Sequence, residues 1–397
     1  MLLDGAAVER YLTRLHGQPV QLNTIQELSD APVEAVLHGR SDTRSLKIFG
    51  YGRPVLVRYQ IDDDERFVVL HTASANQFGH EYRSDRAAAM LLDYDTFNAL
   101  PRHVAALDVG IFINPAYPLA SASLTAPGEQ HLLSLKDGSE FFLLTEYVDG
   151  RPYADDLQRL CDGGELQTSD LHRAKELATT LAEIHAVKWP VQGSGDLSTC
   201  CVENRDSLYR RRIRDTIGSG EGIMGLIDSY PLDSGLVSPQ WLMAIEQACI
   251  EWRWHLRNRT DRLSQVHGDF HPFNILFTPQ GECRFVDRSR GAWGEPADDV
   301  TCLAINYLFF SLQRSGALAP PFSALWDLFW QTYLDLSGDE DLLRIGAPFL
   351  VWRALVLANP VWYNVQNPVR CALLRFIDRI VHEEKFDPSN VNTLLSL

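Results

Sequence analysis

The sequence predicts an α+β protein in two lobes: a small, mostly-β amino-terminal lobe over residues 1–145 and a larger helical lobe over 151–397, joined by a hinge at 146–150. Three observations carry this. At 397 residues the chain exceeds what one hydrophobic core holds together. Runs rich in β-branched and aromatic residues, broken by turn signals, lie before residue 147. Beyond Glu146-Tyr-Val-Asp-Gly150 the apolar residues recur at helical spacing nearly to the end.

In order, residues 6–16 predict a short leading helix. Ser45-Leu-Lys-Ile-Phe-Gly-Tyr-Gly52, Pro54-Val-Leu-Val-Arg-Tyr-Gln-Ile61 and Arg66-Phe-Val-Val-Leu-His-Thr72 read as strands, with Asp62-Asp-Asp-Glu65 turning between the last two. Residues 80–99 set Ala, Met and Leu on one side and charges on the other, which predicts a helix. Residues 131–135 and 140–147 predict a hairpin around Asp137-Gly-Ser139. Residues 169–188 predict a long helix. Further helices are expected at Tyr209-Arg-Arg-Arg-Ile-Arg214 and over Glu251–Arg262.

Composition narrows the function classes. A formal net charge of −16 argues against a nucleic-acid partner, whose phosphates demand a basic face. It is compatible with a cationic substrate. Seven cysteines, with no C-x-x-C pair, read as reduced thiols and not as a disulfide framework or zinc site. The first residues lack a basic start followed by an apolar run, and no stretch of about 18 apolar residues appears. The expectation is a cytoplasmic protein with no membrane partner.

Chemistry concentrates in His267-Gly-Asp-Phe-His-Pro-Phe-Asn-Ile-Leu-Phe277 and Arg284-Phe-Val-Asp287. A carboxylate (Asp269), a carboxamide five residues on (Asn274) and a second carboxylate closing an apolar strand (Asp287) form the set that phosphoryl transfer needs. One acid accepts the proton of the attacking hydroxyl; an amide and an acid hold magnesium. Singly, each residue reads equally as turn chemistry. His267-x-Asp269-x-His271 could also hold a transition metal on one face of an extended segment, which would make a hydrolase. That alternative leaves Asn274 and Gly294-Glu-Pro-Ala-Asp-Asp-Val300 without a role.

His-Gly-Asp-x-His-Pro-x-Asn resembles the catalytic loop of the aminoglycoside phosphotransferase and choline kinase family, a branch of the protein-kinase-like fold. The resemblance implies a Mg2+-dependent kinase that transfers the γ-phosphoryl group of ATP, or GTP, to a hydroxyl of a small molecule. It implies Asp269 as the catalytic base, Asn274 and Asp287 as metal ligands, His267 and His271 as supports of the loop, and Asp299 as an acid bonding that loop. It also implies a backbone-reading adenine site at Glu146, Tyr147 and Val148, and a phosphate-covering turn at Gly50-Tyr-Gly52.

One position departs from the family. The third strand should carry a lysine, and His71 stands there, with Asp85 the favoured acid partner among Glu81, Asp85, Asp93 and Asp95. An imidazolium at His71 would bind phosphate and lose that charge near neutral pH. Lys47 or Arg58 are the other candidates for the missing charge. That departure motivates a second function class, a non-catalytic nucleotide-binding regulator; a protein acceptor is a third. In the family, substrate choice lies before the catalytic loop, here the Arg-rich residues 195–265. Such runs are usually solvated faces with local ion pairs. They also fit an anionic substrate group held by a guanidinium fork, so the aminoglycoside specificity is not carried over.

Overall fold

The structure, a computed structural model, describes residues 3–28, 52, 54–76, 79–113, 134–189, 205–218, 220 and 222–396. Lys47, Gly50, Cys200, Cys201 and most of the expected strand over 45–52 lie outside these. The described residues fall into two compact units. One takes those up to residue 94 together with Ala105–Tyr147; the other takes Asp95–Val104 and everything from Val148 onward. The α+β class is as expected.

The first unit is a five-stranded antiparallel sheet with two helices. Helix α1 (Gly5–His16) starts on Asp4, whose side chain accepts from Ala6 N, and stops at Gly17 in the left-handed region. Strands β1 (Gln21–Glu27), β2 (Val55–Ile61) and β3 (Asp64–Thr72) follow, then helix α2 (Arg83–Phe97) and strands β4 (Ala106–Ile113) and β5 (Gly138–Glu146). The sheet order is β1-β2-β3-β5-β4. In β2, Val55, Val57, Tyr59 and Ile61 alternate inward, where Val8 and Leu12 of α1 pack on them with Val68, Leu70 and Leu144. Two strands escaped the sequence reading, and both are edges. Most of β1 is exposed and its composition is polar, so no apolar alternation marks it. Strand β4 interposes Gly110 in its run. Of the hairpin expected around Asp137–Ser139, most of the first arm lies outside the described residues, and the second arm, β5, pairs with β3 and β4.

The second unit is mainly helical. Strand β6 (Arg151–Pro152) leads into α3 (Tyr153–Cys161), α4 (Thr168–Ala186), α5 (Arg205–Ile217), α6 (Ile223–Asp228) and α7 (Pro239–Leu256). Short strands β7 (Ser264–Gln265), β8 (Ile275–Phe277), β9 (Cys283–Phe285) and β10 (Trp293–Gly294) frame the motif region. Helices α8 (Pro296–Ser315), α9 (Phe322–Ser337), α10 (Leu342–Ile345), α11 (Ala347–Ala358), α12 (Asn367–Ile380) and α13 (Val391–Leu395) close the chain. Every residue of α8 from Pro296 to Leu312 is buried. A helix buried all round is the centre of its core, and α3, α4, α9, α11 and α12 pack on it. Its first turn is the floor of the motif loop.

Cys161, Cys249, Cys283, Cys302 and Cys371 are free thiols. No helix among the described residues is long and apolar enough to cross a membrane.

Candidate active site

Strand pairing fixes where the loop begins. Strand β7 pairs with β10, and Val266 N donates to Ala292 O (3.0 Å). The chain then turns at Gly268, whose φ is +89° and where a Cβ would lie 3.0 Å from Arg290 Cβ. A side chain there would be strained and crowded. Asp299, in the first turn of α8, holds the turn from below. Its Oδ2 accepts from His267 N and its Oδ1 from Gly268 N, each at 2.7 Å. His185 of α4 adds a third contact, Nε2 to Asp299 Oδ2 at 3.2 Å, and its Nδ1 meets Tyr333 OH of α9 at 2.8 Å. Burial alone would raise the Asp299 pKa; the His185 bond and the backbone amides outweigh it and hold the carboxyl below its usual range. Three helices thus converge on one carboxylate.

His267 is fully buried and uses both ring nitrogens. Nε2 donates to Val286 O (3.1 Å) and Nδ1 accepts from Asp269 N (3.2 Å), the tautomer that satisfies both. Burial pushes its pKa down to about 4. His271 caps the turn Pro272–Asn274, its Nδ1 accepting from Phe273 N (3.2 Å), and its Nε2 lies 3.5 Å from Asp269 Oδ2. Asn274 Nδ2 donates to Asp269 O (3.1 Å), and Val286 N donates to Asn274 O (3.0 Å). Asp269, Asn274 and the residue before Asp287 are therefore tied together. Asp287 itself is exposed with φ 61°, a left-handed backbone that costs a non-glycine residue energy.

Arg353 escaped the sequence reading altogether. From α11 its Nη1 donates to Asp269 Oδ1 (2.6 Å) and its Nη2 to Asp298 Oδ1 (2.6 Å) and Gly268 O (3.3 Å). Burial would lower its pKa, but Asp298 and Asp269 outweigh that and raise it. Arg290 Nη1 donates to Gly268 O (2.7 Å) and lies 3.2 Å from Asp269 Oδ1. Both guanidinium groups sit over the Trp352 ring, at 4.0 Å for Arg353 and 4.6 Å for Arg290. The available signal was a lone cation in the otherwise apolar run Ala347–Ala358. Arg288, beside Asp287 in sequence, is structural: fully buried, it donates to the carbonyls of Val266, Thr96 and Ala292. A further buried pair, Arg262 with Glu295 (2.8 Å), is joined by Tyr209 OH to Glu295 Oε2 (2.8 Å).

In the first unit, Gly52 bridges Ala73, and a Cβ there would lie 2.6 Å from Thr72 O, so close strand approach alone requires glycine. His71 faces Leu143 in the β3–β5 register, and its Nε2 lies 2.9 Å from Thr145 Oγ1. Burial pushes its pKa down to about 4, which leaves the ring neutral at pH 7. Asp85 serves its own helix, accepting from Tyr82 N (2.9 Å). No ion pair joins it to His71; the pair fastening α2 to the sheet is Arg86 with Glu140 (2.6 Å). Arg58 is engaged by Glu65 at 2.5 Å. Glu146 N donates to Ala105 O (2.9 Å), and the rings of Tyr147 and Phe67 are 5.8 Å apart. The chain passes from one unit to the other between Tyr147 and Val148.

The donor set fits magnesium. Committing the Asn274 amide nitrogen to the loop leaves its carbonyl oxygen for a cation, and Asp287 offers an exposed carboxylate; both are hard oxygen ligands. It does not fit a transition metal on His267, which has no ring nitrogen left to coordinate one. Among the described residues no group of three or more His, Cys, Asp or Glu could hold a metal ion.

Comparison with known proteins adds the following. No curated protein sequence matches the chain. Among solved structures, a Haemophilus somnus protein assigned as a fructosamine-3-kinase is 11% identical, with 94% of this chain and 97% of that one covered and a TM-score of 0.49. A macrolide 2'-phosphotransferase from Brachybacterium faecium is 14% identical, with 88% and 90% covered and a TM-score of 0.43. A Plasmodium vivax ethanolamine kinase is 13% identical, with 88% and 79% covered and a TM-score of 0.39. These scores lie below one half, so the assignment rests on the family comparison. There, residues 83–333, more than half of the chain and all of the catalytic-loop motif, match the phosphotransferase enzyme family, and the chain belongs to that family.

Proposed function

We propose that the protein is a small-molecule kinase that moves the γ-phosphoryl group of ATP to an alcohol, with magnesium. The observation that carries this is the loop held by Asp299. Two backbone amides and His185 fix that buried carboxylate, and the fixed loop in turn presents Asp269 and Asn274 beside the strand end that carries Asp287. Asp269 Oδ1 is engaged by Arg353 and Arg290, and Oδ2, which lies 3.5 Å from His271 Nε2, is the oxygen proposed to orient the acceptor hydroxyl and take its proton. Asn274 and Asp287 would hold magnesium, which neutralises charge on the phosphates. Arg353 bars Asp269 from swinging away, and Arg290 places a positive charge next to the site of transfer. In a loose transition state such positioning and charge neutralisation supply most of the rate. Gly52, His71 and the stretch Glu146–Val148 are the proposed nucleotide contacts of residues 1–145 and the hinge, His71 as a neutral hydrogen-bonding group.

The test is Asp287→Ala. Magnesium-dependent ADP release should fall at least a thousandfold while the unfolding midpoint stays within a few degrees of wild type, since Asp287 is exposed. A folded Asp287→Ala protein that turns ATP over like wild type refutes the metal role.

A further inference from the structure

Among the described residues, the acids packed around the catalytic loop are matched to protein partners. Asp298 is taken by Arg353, and Asp299 by two backbone amides and His185. Glu295 and Asp339 are taken by Arg262, with Glu295 also bonded by Tyr209. A polycationic acceptor needs carboxylates that the protein has not neutralised itself, and these are spent.

Arg212 is in the opposite condition. Helix α5 packs against α11 and β10, and Arg212 on it is 14% exposed by side chain. Its Nε is buried without a hydrogen-bond partner. Its ion-pair partner among the described residues, Asp215, lies 3.9 Å from Nη1 and is shared with Arg211 (3.5 Å) and Arg214 (3.6 Å). Arg290, 30% exposed and 3.2 Å from Asp269, adds a repulsive like charge to Arg212. Burial pushes the Arg212 pKa down to about 10, and the opposing charges of Asp215 and Asp298 do not make up for it. A buried guanidinium with a spare donor and a second cation for a neighbour destabilises the fold unless an anion completes it. Guanidinium forks match carboxylate and phosphate geometry.

From this arrangement, and resting on the kinase reading above, we infer that the acceptor is an alcohol bearing an anionic group, a carboxylate or a phosphate, which Arg212 and Arg290 hold beside Asp269. The hydroxyl meets Asp269 while the acid end meets the arginines. Neutralising the pair also removes the repulsion between them, so acceptor binding tightens the loop that carries Arg290.

The experiment has three arms on the full chain. The first measures Mg-ATP binding by calorimetry and tests the kinase reading by itself. The second follows thermal unfolding, with and without Mg-ADP, during titration with inorganic phosphate, malonate, choline chloride and sodium chloride at matched ionic strength. Phosphate or malonate should raise the melting temperature of wild type beyond the chloride salts, and whichever does so names the group. Arg212→Gln should weaken that binding at least tenfold, and Arg212→Lys should restore most of it. Arg290→Gln gives the same reading should Arg212→Gln fail to fold. The third compares ADP release with glycerol, glycerate, glycerol phosphate, choline and ethanolamine; an anionic member should show the highest kcat/KM. An anion effect identical in wild type and the Gln variants overturns the inference, as does a preference for choline or ethanolamine over the anionic alcohols. Absent Mg-ATP binding with an intact, arginine-dependent anion effect would instead sink the kinase reading.

Discussion

Lowering the pH below neutrality should destabilise the protein through His267. The ring is fully buried, donates to Val286 O and accepts from Asp269 N, so only the neutral form satisfies both bonds. Burial pushes its pKa to about 4, against about 6.5 in an unfolded chain. Between those values the unfolded state binds a proton that the folded state refuses. Stability therefore rises with pH across that window and falls as pH drops through it. At about 1.36 kcal/mol per pH unit, the loss accumulates to about 3 kcal/mol by pH 4. That is a large part of a typical total of about 5–15 kcal/mol. His71 and His103, also buried with lowered pKa values, add parallel contributions, so the His267 share must be isolated. Denaturant unfolding at pH 7.0, 6.0, 5.0 and 4.5 is the assay, on wild type and His267→Gln. The glutamine amide still donates to Val286 O but does not titrate. Wild type should lose stability more steeply than the variant, by about 2 kcal/mol between pH 6.5 and 4.5. Parallel profiles for the two proteins would refute the assignment.

Three further outcomes are expected. Asp299→Asn should cost about 3 kcal/mol, because one of two amide donors at 2.7 Å then faces an NH2 group; denaturant midpoints read it. Since the Asp299 pKa is lowered, its own stabilising share should be present above about pH 4 and be lost as pH falls through the folded value. ATP affinity measured by calorimetry should be flat from pH 6 to 8, because His71 is neutral throughout; affinity that weakens as pH rises, and does so less in His71→Lys, would restore the imidazolium contact. Elemental analysis of the purified protein should find no stoichiometric zinc, iron or manganese, since both nitrogens of His267 are committed to the loop.

Legibility in the sequence followed how local the determinants are. The loop His267–Asn274 and the helix opening at Pro296 are each fixed by residues a few positions apart, and these were readable; the tie of His267 to Val286, 19 positions on, was not. So were α1, β2, β3, α2 and α4, whose apolar spacing matches their burial. Edge strands β1 and β4 were missed because a strand with one neighbour needs little apolar alternation. Arg353 stands 84 residues beyond Asp269, and no spacing rule links them. Asp85 was chosen as a partner by position on α2, and its use as a cap depends on where the turn at Tyr82 points its N–H. His71 was placed on the right strand, but its charge follows from burial, which strand assignment leaves open.

Net charge and local charge disagree in this molecule, and distance decides between them. A formal charge of −16 suggests a taste for cations when the chain is taken as a whole. At physiological ionic strength, however, exposed charges are screened beyond about 8 Å. A ligand at the loop is therefore governed by its neighbours, and there the acids are consumed. Arg353 neutralises Asp298 at 2.6 Å, and Arg262 neutralises Glu295 at 2.8 Å. Among the described residues, Arg212 keeps a buried donor without a hydrogen-bond partner. The acidic surface governs solubility and long-range approach; the arginines at the loop decide what binds.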